Sequence, residues 1–273
     1  MARPSLTGLM ELRQITPQPL RAIAGAATLG LVLLVWWFIT SGSVAEERIV
    51  SPAVLPSPME VVRSFPSLLN ERALLESIAA SLRRVLVGFG LAVIVGVPLG
   101  VLSASWRLFE AGGAPFALFG RNVPIAALIP LTLMWFGIDE TQKVMFIFIA
   151  CVPFVYSDTV SAVAGVPDRY VETAQTLGAS EQQIVRKVLV PLALPQIYDG
   201  LRHLFGLAFG YIMLAEVVNA EYGLGRLLMD SQRRSIPQHV ILILLIISLL
   251  AYGIDRLLLW LQRGLFPYRT VES

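Results

Sequence analysis

Three ionisable residues, Arg121, Asp158 and Glu216, stand within or beside apolar runs, where a charge is costly. At mid-bilayer an Asp or Arg costs roughly 2.5 kcal/mol or more, so such residues either reach an interface or handle ions. All three lie near the ends of their runs, where snorkelling suffices. Arg121 is the cation best placed to attract an anion. Other chemistry is sparse. The lone Cys151 gives neither a disulfide framework nor a thiolate metal cluster, and His203 and His239 are too far apart for a zinc motif. Lys143 and Lys187, the only lysines, follow Gln142 and Arg186 rather than a glycine, so there is no phosphate loop. No GxSxG elbow occurs either. A formal charge of +2 argues against nucleic acid as a partner. The chain carries no visible catalytic apparatus, and neither a metal nor a cofactor is expected on it.

The elements that position these residues are membrane helices. Of 273 residues, 56% are hydrophobic and only 15% charged, against roughly a quarter charged in soluble domains. A helix needs about 20 mostly apolar residues to cross the hydrocarbon. Two charge-free runs qualify, one between Arg21 and Glu46 and one between Arg84 and Arg107. Shorter or interrupted candidates run from Asn122 to Ile138, Val144 to about Gly165, His203 to Ala220, and Ile236 to about Leu261, giving about six spans. A cleavable signal peptide is the rival reading of the first run, with "SVA" before Glu46 as its cleavage site. The length of the run and the paired Trp36 and Trp37 favour a retained span.

The larger share of the 21 basic residues falls on the side holding both termini and residues 166–202, which predicts cytoplasmic termini. The expected organisation is a tail and first span over 1–50, an external segment over 51–84, a core over 85–265 and a tail over 266–273. In the external segment Val62, Phe65, Leu68 and Leu69, then Leu74, Leu75, Ile78 and Leu82, recur at helical spacing and predict short interfacial helices. Gly96 with Gly100, and Gly206 with Gly210, permit close helix crossings, expected within one subunit. Residues 219–238 predict an external glycine-hinged loop and a short helix, either receiving a binding protein or capping the path.

One polar stretch interrupts the second half: "YVETAQTLGASEQQIVRKVLVPLALP", residues 170–195. Pro167 opens a helix, Tyr170, Val171, Ala174 and Leu177 share one face, and Gly178 is placed as a left-handed cap. Ser180 with Gln183 forms a capping-box pattern that restarts a helix, until Pro191 and Pro195 oppose its continuation. Small residues at Ala174 and Gly178 leave room for another surface, or the hairpin rests on headgroups or on its own bundle. A DNA-binding helix-turn-helix has the same spacing, but only Arg186 and Lys187 would meet phosphate there.

This stretch resembles the EAA loop of permease subunits of binding-protein-dependent ABC importers. Glu172, Thr173, Ala174, Gly178, Val188, Val190 and Pro191 match that pattern, with Thr173 replacing an Ala and valines replacing an Ile and a Leu. The segments "LPSP" (55–58), "SLRRVLVGFG" (81–90), "PLGVLSA" (98–104), "PIAALIPLTLMWFGI" (124–138) and "AEVVNAEYGLG" (215–225) are similar to the nitrate, sulfonate, taurine and bicarbonate subgroup.

The resemblance implies an all-α integral membrane protein of the type I ABC importer permease fold, in the bacterial cytoplasmic membrane. It implies a homodimer, two cytoplasmic ATPase subunits that hold ATP and Mg, and a periplasmic or surface-anchored binding protein. The loop over 166–196 would be the coupling element, with Glu172 making the polar contact and Leu177 the apolar one. Ala174, Gly178 and Ala179 would allow close approach, and Thr173 and Pro191 complete the motif. Candidate path residues are Arg121, Pro124, Pro130, Thr132, Met134, Trp135 and Glu216, with packing of a kinked helix against its neighbours as the alternative for the third span. An ATP-independent secondary transporter or channel is the functional alternative.

Overall fold

The computed structural model describes residues 17–42, 48–218 and 220–267. The expected cytoplasmic termini, the "SVA" site and Asn219 lie outside these residues in whole or in part. All described secondary structure is helical: α1 (Gln18–Ile39), α2 (Pro58–Arg63), α3 (Phe65–Glu71), α4 (Leu74–Ser105), α5 (Arg107–Asn122), α6 (Leu128–Phe136), α7 (Glu140–Ala164), α8 (Asp168–Thr176), α9 (Glu181–Ile184), α10 (Val190–Glu216), α11 (Leu224–Arg233) and α12 (Pro237–Leu265). A 3₁₀ turn, Ile125–Ala127, precedes α6, and a π turn, Val185–Leu189, joins α9 to α10.

Among the described residues, α1, α4, α7 and α12 are long and apolar enough to cross a bilayer, and the bent pair α5–α6 makes a fifth candidate. By length and apolarity alone this gives four or five spans beside the expected count of about six. At 27 residues α10 is long enough, but Asp199, Arg202 and Glu216 interrupt its apolar sequence. The third expected span, 122–138, is revised. Pro124 holds Val123 in extended geometry (φ −69°, ψ 127°) and ends α5, so the chain turns by 91° and only Leu128–Phe136 continues as α-helix. Pro130 lies in the first turn of α6, where its missing N–H breaks nothing.

The core is built around α7. Across the seam with α4, side chains at intervals of three and four (Ser81, Val85, Gly88, Ala92, Gly96, Gly100, Ser103) present a mostly small, buried face. A Cβ added at Gly88 would lie 2.6 Å from the Val144 carbonyl oxygen. One at Gly96 would lie 2.8 Å from Val155, and one at Gly100 would lie 2.6 Å from Thr159. Thus Gly96 and Gly100 do permit a close crossing inside the subunit. Gly206 and Gly210 do not: nothing stands within 4 Å of either Cβ position, because this face of α10 is open in the isolated chain. On the other side of α7, α5 packs through Gly113 against Tyr156 and through Gly120 against Pro153.

The external segment differs from its sequence reading. Residues 74–82 form the first turns of α4 rather than a separate interfacial helix. Within 58–71 the buried side chains are Val61, Ser64 and Leu68, whereas Val62 and Phe65 are exposed. Val61, Ser64 and Leu68 stand at spacings of three and four, so one buried face runs through both helices, rotated one residue from the expected Val62, Phe65 and Leu69 and passing through the polar Ser64. The Arg48 guanidinium binds Glu60, whose carboxylate also accepts from the Ser57 amide at 2.7 Å, and Trp36 Nε1 donates to the Pro56 carbonyl.

Two outcomes follow from this packing. Gly100→Leu forces side-chain bulk against Thr159 and the Tyr156 carbonyl, and should cost about 1–3 kcal/mol, read as lowered thermal stability in detergent. Gly206→Ala should leave the stability of the isolated chain unchanged or slightly raised. Hydrogen bonds from Arg48 first, then from the Ser57 backbone, hold the Glu60 carboxyl down to about 2, from an ordinary 4.5. A depressed folded-state value means that its stabilisation is fully present above the unfolded value and lost as pH falls through about 2. Amide exchange across α2 should therefore accelerate as pH is lowered from about 4.5 towards 2, beyond the intrinsic pH trend, and Glu60→Gln should abolish that excess.

Candidate functional site

The polar hairpin after α7 folds as its spacing predicts. Pro167 is extended (φ −60°, ψ 133°) and leads into α8, with Asp168 in the first turn. Gly178 adopts φ +79°, its amide donates to the Gln175 carbonyl at 2.9 Å, and the Ala179 amide reaches back to Ala174 at 3.0 Å. This is a Schellman closure, in which a left-handed glycine lets the last amides of the turn satisfy free carbonyls. The Gln183 side chain accepts from the Ser180 amide at 2.9 Å, completing the capping box that opens α9.

Contrary to the sequence reading, Pro191 and Pro195 do not stop the second helix. Val185–Leu189 widens into a π turn, and the chain runs on as α10 through both prolines. A π turn shifts the hydrogen-bond register just before Pro191, where a proline would otherwise face a carbonyl it cannot bond.

The hairpin is fixed at its base and open at its tip. Ile184 and Val185 are buried, and Val166, Ala162, Val163, Ala193 and Ile197 form a small core beneath it with Leu189 packed against them. Trp106, at the corner between α4 and α5, donates its indole N–H to Glu181 at 3.3 Å. At the tip Leu177 is 81% exposed, Glu172 and Thr173 are exposed, and Ala174 and Ala179 are half-buried. Nothing lies within 4 Å of the Gly178 Cβ position, so within this chain the glycine is required by its φ rather than by crowding. The tip thus combines an exposed leucine with a rigid turn and a nearby exposed carboxylate.

The candidate path residues do not form one constellation. Met134 (82% exposed) and Trp135 lie on the open face of α6, with Pro130 and Pro124 also exposed. Arg121 is exposed, with its guanidinium 5.8 Å from the Phe154 ring centroid on α7. Thr132 is buried: its hydroxyl donates to the Ile129 carbonyl and accepts from Gln142 Nε2 at 3.0 Å. It ties α6 to α7 and does not line an open surface.

Glu216 is likewise corrected. It is wholly buried and belongs to a network that sequence reasoning missed. Arg84, 2% exposed, donates through Nη1 to Glu216 at 2.7 Å and to the Tyr222 carbonyl at 2.7 Å, while its Nε binds Glu140 at 2.7 Å. Ser81 donates to Glu216 at 2.7 Å and accepts from the Leu224 amide at 2.9 Å, and the Gly225 amide donates to Glu216 at 2.9 Å. Two of the subgroup-like segments, "SLRRVLVGFG" and "AEVVNAEYGLG", thus meet in space. The only sequence signal was their joint presence, since Arg84 had been read as the charged boundary of a span. α7 carries Glu140 at its first residue and the hairpin beyond its last, so this network and the hairpin occupy opposite ends of the helix, roughly 35 Å apart.

Comparison with known proteins identifies the family. Residues 96–267 match the family model described as "Binding-protein-dependent transport system inner membrane component". The taurine transport system permease protein of Escherichia coli (strain K12) is 31% identical, over 88% of each chain. The nitrate import permease protein of Synechocystis sp. (strain ATCC 27184 / PCC 6803 / Kazusa) is 29% identical, over 96% of this chain and 98% of its own. Among solved structures, an inward-facing form of the MetNI methionine ABC transporter superposes with a TM-score of 0.59 at 22% identity, covering 71% of this chain and 97% of that one. This supports the type I permease fold. With a family match spanning well over half its length, the chain belongs to the inner membrane components of binding-protein-dependent transport systems.

Proposed function

We propose that this chain is the translocation subunit of an ATP-driven importer for a small anion of the sulfonate, nitrate or bicarbonate class. The observation that carries the coupling half of this reading is the hairpin over 166–190. It is a preorganised helix–turn–helix, anchored to α4, α7 and α10, whose tip offers Leu177 and Glu172 to a second protein. In the described residues no cluster of His, Cys, Asp or Glu could hold a metal ion, and the sequence has no phosphate loop. Nucleotide chemistry is therefore assigned to a separate ATPase carrying ATP and Mg, two copies of which seat on the hairpins of two permease chains. The hairpin end then faces the cytosol, in keeping with the basic-residue bias, and the Arg84 end faces outward towards a substrate-binding protein.

The relatives include permeases whose names specify taurine, aliphatic sulfonates, nitrate and bicarbonate. Each of these substrates carries a small negatively charged oxygen-rich group, with taurine bearing an ammonium besides its sulfonate, which supports a substrate of that kind for this chain. The open face of α6, with Met134 and Trp135, and Arg121 near its base are assigned to the path of a homodimer, whereas Thr132 and Glu216 are assigned to internal packing. α1 and α12 present apolar surface suited to lipid or to the second copy.

Leu177 buries little against its own chain, so Leu177→Asp should insert and fold normally. It should weaken capture of the ATPase by about tenfold or more, the scale expected for losing one buried leucine contact. Retention of full ATPase binding in detergent pull-down would remove the hairpin from the interface. In proteoliposomes holding permease, ATPase and binding protein, uptake should stop when ATP hydrolysis is blocked; uptake that persists would indicate a transporter that works without ATP.

A further inference from the structure

The network around Arg84 does more than join helices. Its partners converge on the turn between α10 and α11, residues 220–225. Arg84 binds the Tyr222 carbonyl, Ser81 accepts the Leu224 amide, and Glu216 accepts the Gly225 amide. Arg226 reaches back to the carbonyls of Ala220 and Glu221. Gly223 sits at φ +151° with its Cβ position 2.5 Å from the Glu216 carboxyl carbon. A Cβ on Gly225 would fall 2.5 Å from the Met213 carbonyl oxygen. The turn is pressed on α10 more closely than any side chain would allow, and much of its backbone polarity is satisfied by charged or hydroxyl groups from α4, α10 and α11.

Stability does not require such a device, since a buried ion pair is commonly no better than well-packed apolar side chains of the same volume. What it supplies is a unique geometry, because lifting the turn alone would take the Tyr222 carbonyl from Arg84, the Leu224 amide from Ser81 and the Gly225 amide from Glu216, three bonds lost at once in a buried site. We propose that Arg84 and Glu216 are positioning residues that weld the 220–225 turn to α4, α7 and α10. The end of the chain opposite the hairpin then moves as one piece with those helices during transport, and the turn is not a lid with a hinge of its own. This inference rests on the transport reading above, and concerns how the far end of the path opens.

Ala80 on α4 and Glu221 in the turn both line one cleft of ≈ 340 Å³. In a Cys151→Ala background, Ala80→Cys with Glu221→Cys can be joined across it by a short thiol-specific linker in the fully assembled transporter. Uptake should stay within about twofold of the unlinked protein, because a piece that moves as a whole is indifferent to an internal tether. Loss of uptake on linking would overturn the weld, since only an independently moving turn would be blocked.

Arg84→Gln with Glu216→Gln removes both charges together, leaving neither buried against a neutral partner, and Glu140 keeps Arg83 at 3.3 Å. That variant should still bind the ATPase, but lose about tenfold or more in uptake, as expected when a supporting shell is loosened. Linking the two cysteines in it should restore uptake; failure to restore would overturn the positioning role. Hydrogen exchange at the Leu224 and Gly225 amides gives a reading independent of transport. The amides should be protected in the native chain with and without ATP and exposed in the double variant, and unchanged exchange in that variant would overturn the proposal. Absence of ATP-driven uptake by the native assembly would instead undo the transport reading, leaving the exchange result to judge the weld.

Discussion

The close approach of α4 to α7 is the contact on which the rest of the structure depends. In a bilayer, helices gain little by hiding apolar side chains from one another, because lipid tails are equally apolar, so association relies on close packing and hydrogen bonds. Gly88, Gly96 and Gly100 on α4 let the Val144 carbonyl, Val155 and Thr159 of α7 come within distances that any side chain on α4 would forbid. α5 repeats the arrangement with Gly113 and Gly120 against Tyr156 and Pro153. α7 therefore has small partners on two sides and is the fixed axis of the bundle.

Fixing α7 fixes both of its ends, and the two ends are built by different physics. At one, the hairpin over 166–190 is held by an apolar base and by backbone closure at Gly178, which leaves its tip free to meet another surface. At the other, Glu140 and Glu216 surround Arg84, and Ser81 and the turn amides satisfy the remaining acceptors. An ion cluster at that depth is tolerable only because every member has several partners; deleting one charge leaves another buried without compensation. The hairpin presents contacts outward, whereas the far end spends its polarity on itself.

Local patterns in the sequence carried the hairpin almost completely. Gly178 had to be left-handed and Ser180 with Gln183 had to restart a helix, because both signals act within a few residues. The long apolar runs identified α1, α4, α7 and α12 for the same reason. Charges hid other features. Arg84 looked like the boundary of a span although it is buried ten residues into α4, and a run count cannot know that Glu140 and Glu216 come to meet it. The 91° turn at Pro124 was legible as a proline but not as an angle, because the contacts that hold α6 in its direction, such as Gln142 of α7 on Thr132, lie far from Pro124 in the sequence. Val62 and Phe65 illustrate a third limit: the buried face runs through Val61, Ser64 and Leu68, and a count of apolar residues passes over a face whose middle member is a serine bonded to the Val61 carbonyl.

The treatment of Pro191 joins these observations into a mechanical picture. Had the proline ended the second helix, the hairpin would hang from α10 by a flexible joint, and displacement of its tip would dissipate there. Instead α9, the π turn and α10 run without interruption from Glu181 to Glu216, a distance on the order of 50 Å. A helix of that kind transmits displacement along its length, with the wide turn at Val185–Leu189 as its one irregular section below the prolines. Its lower end is hydrogen-bonded to Trp106 and its upper end is held in the Arg84 network, so α4 is tied to both ends of the same continuous rod, at its C-terminal corner and within its N-terminal third. On the proposed reading, a push at the hairpin reaches the far side through α10 with α4 and α7 in step, and a partner's nucleotide chemistry would act on the path through that rod.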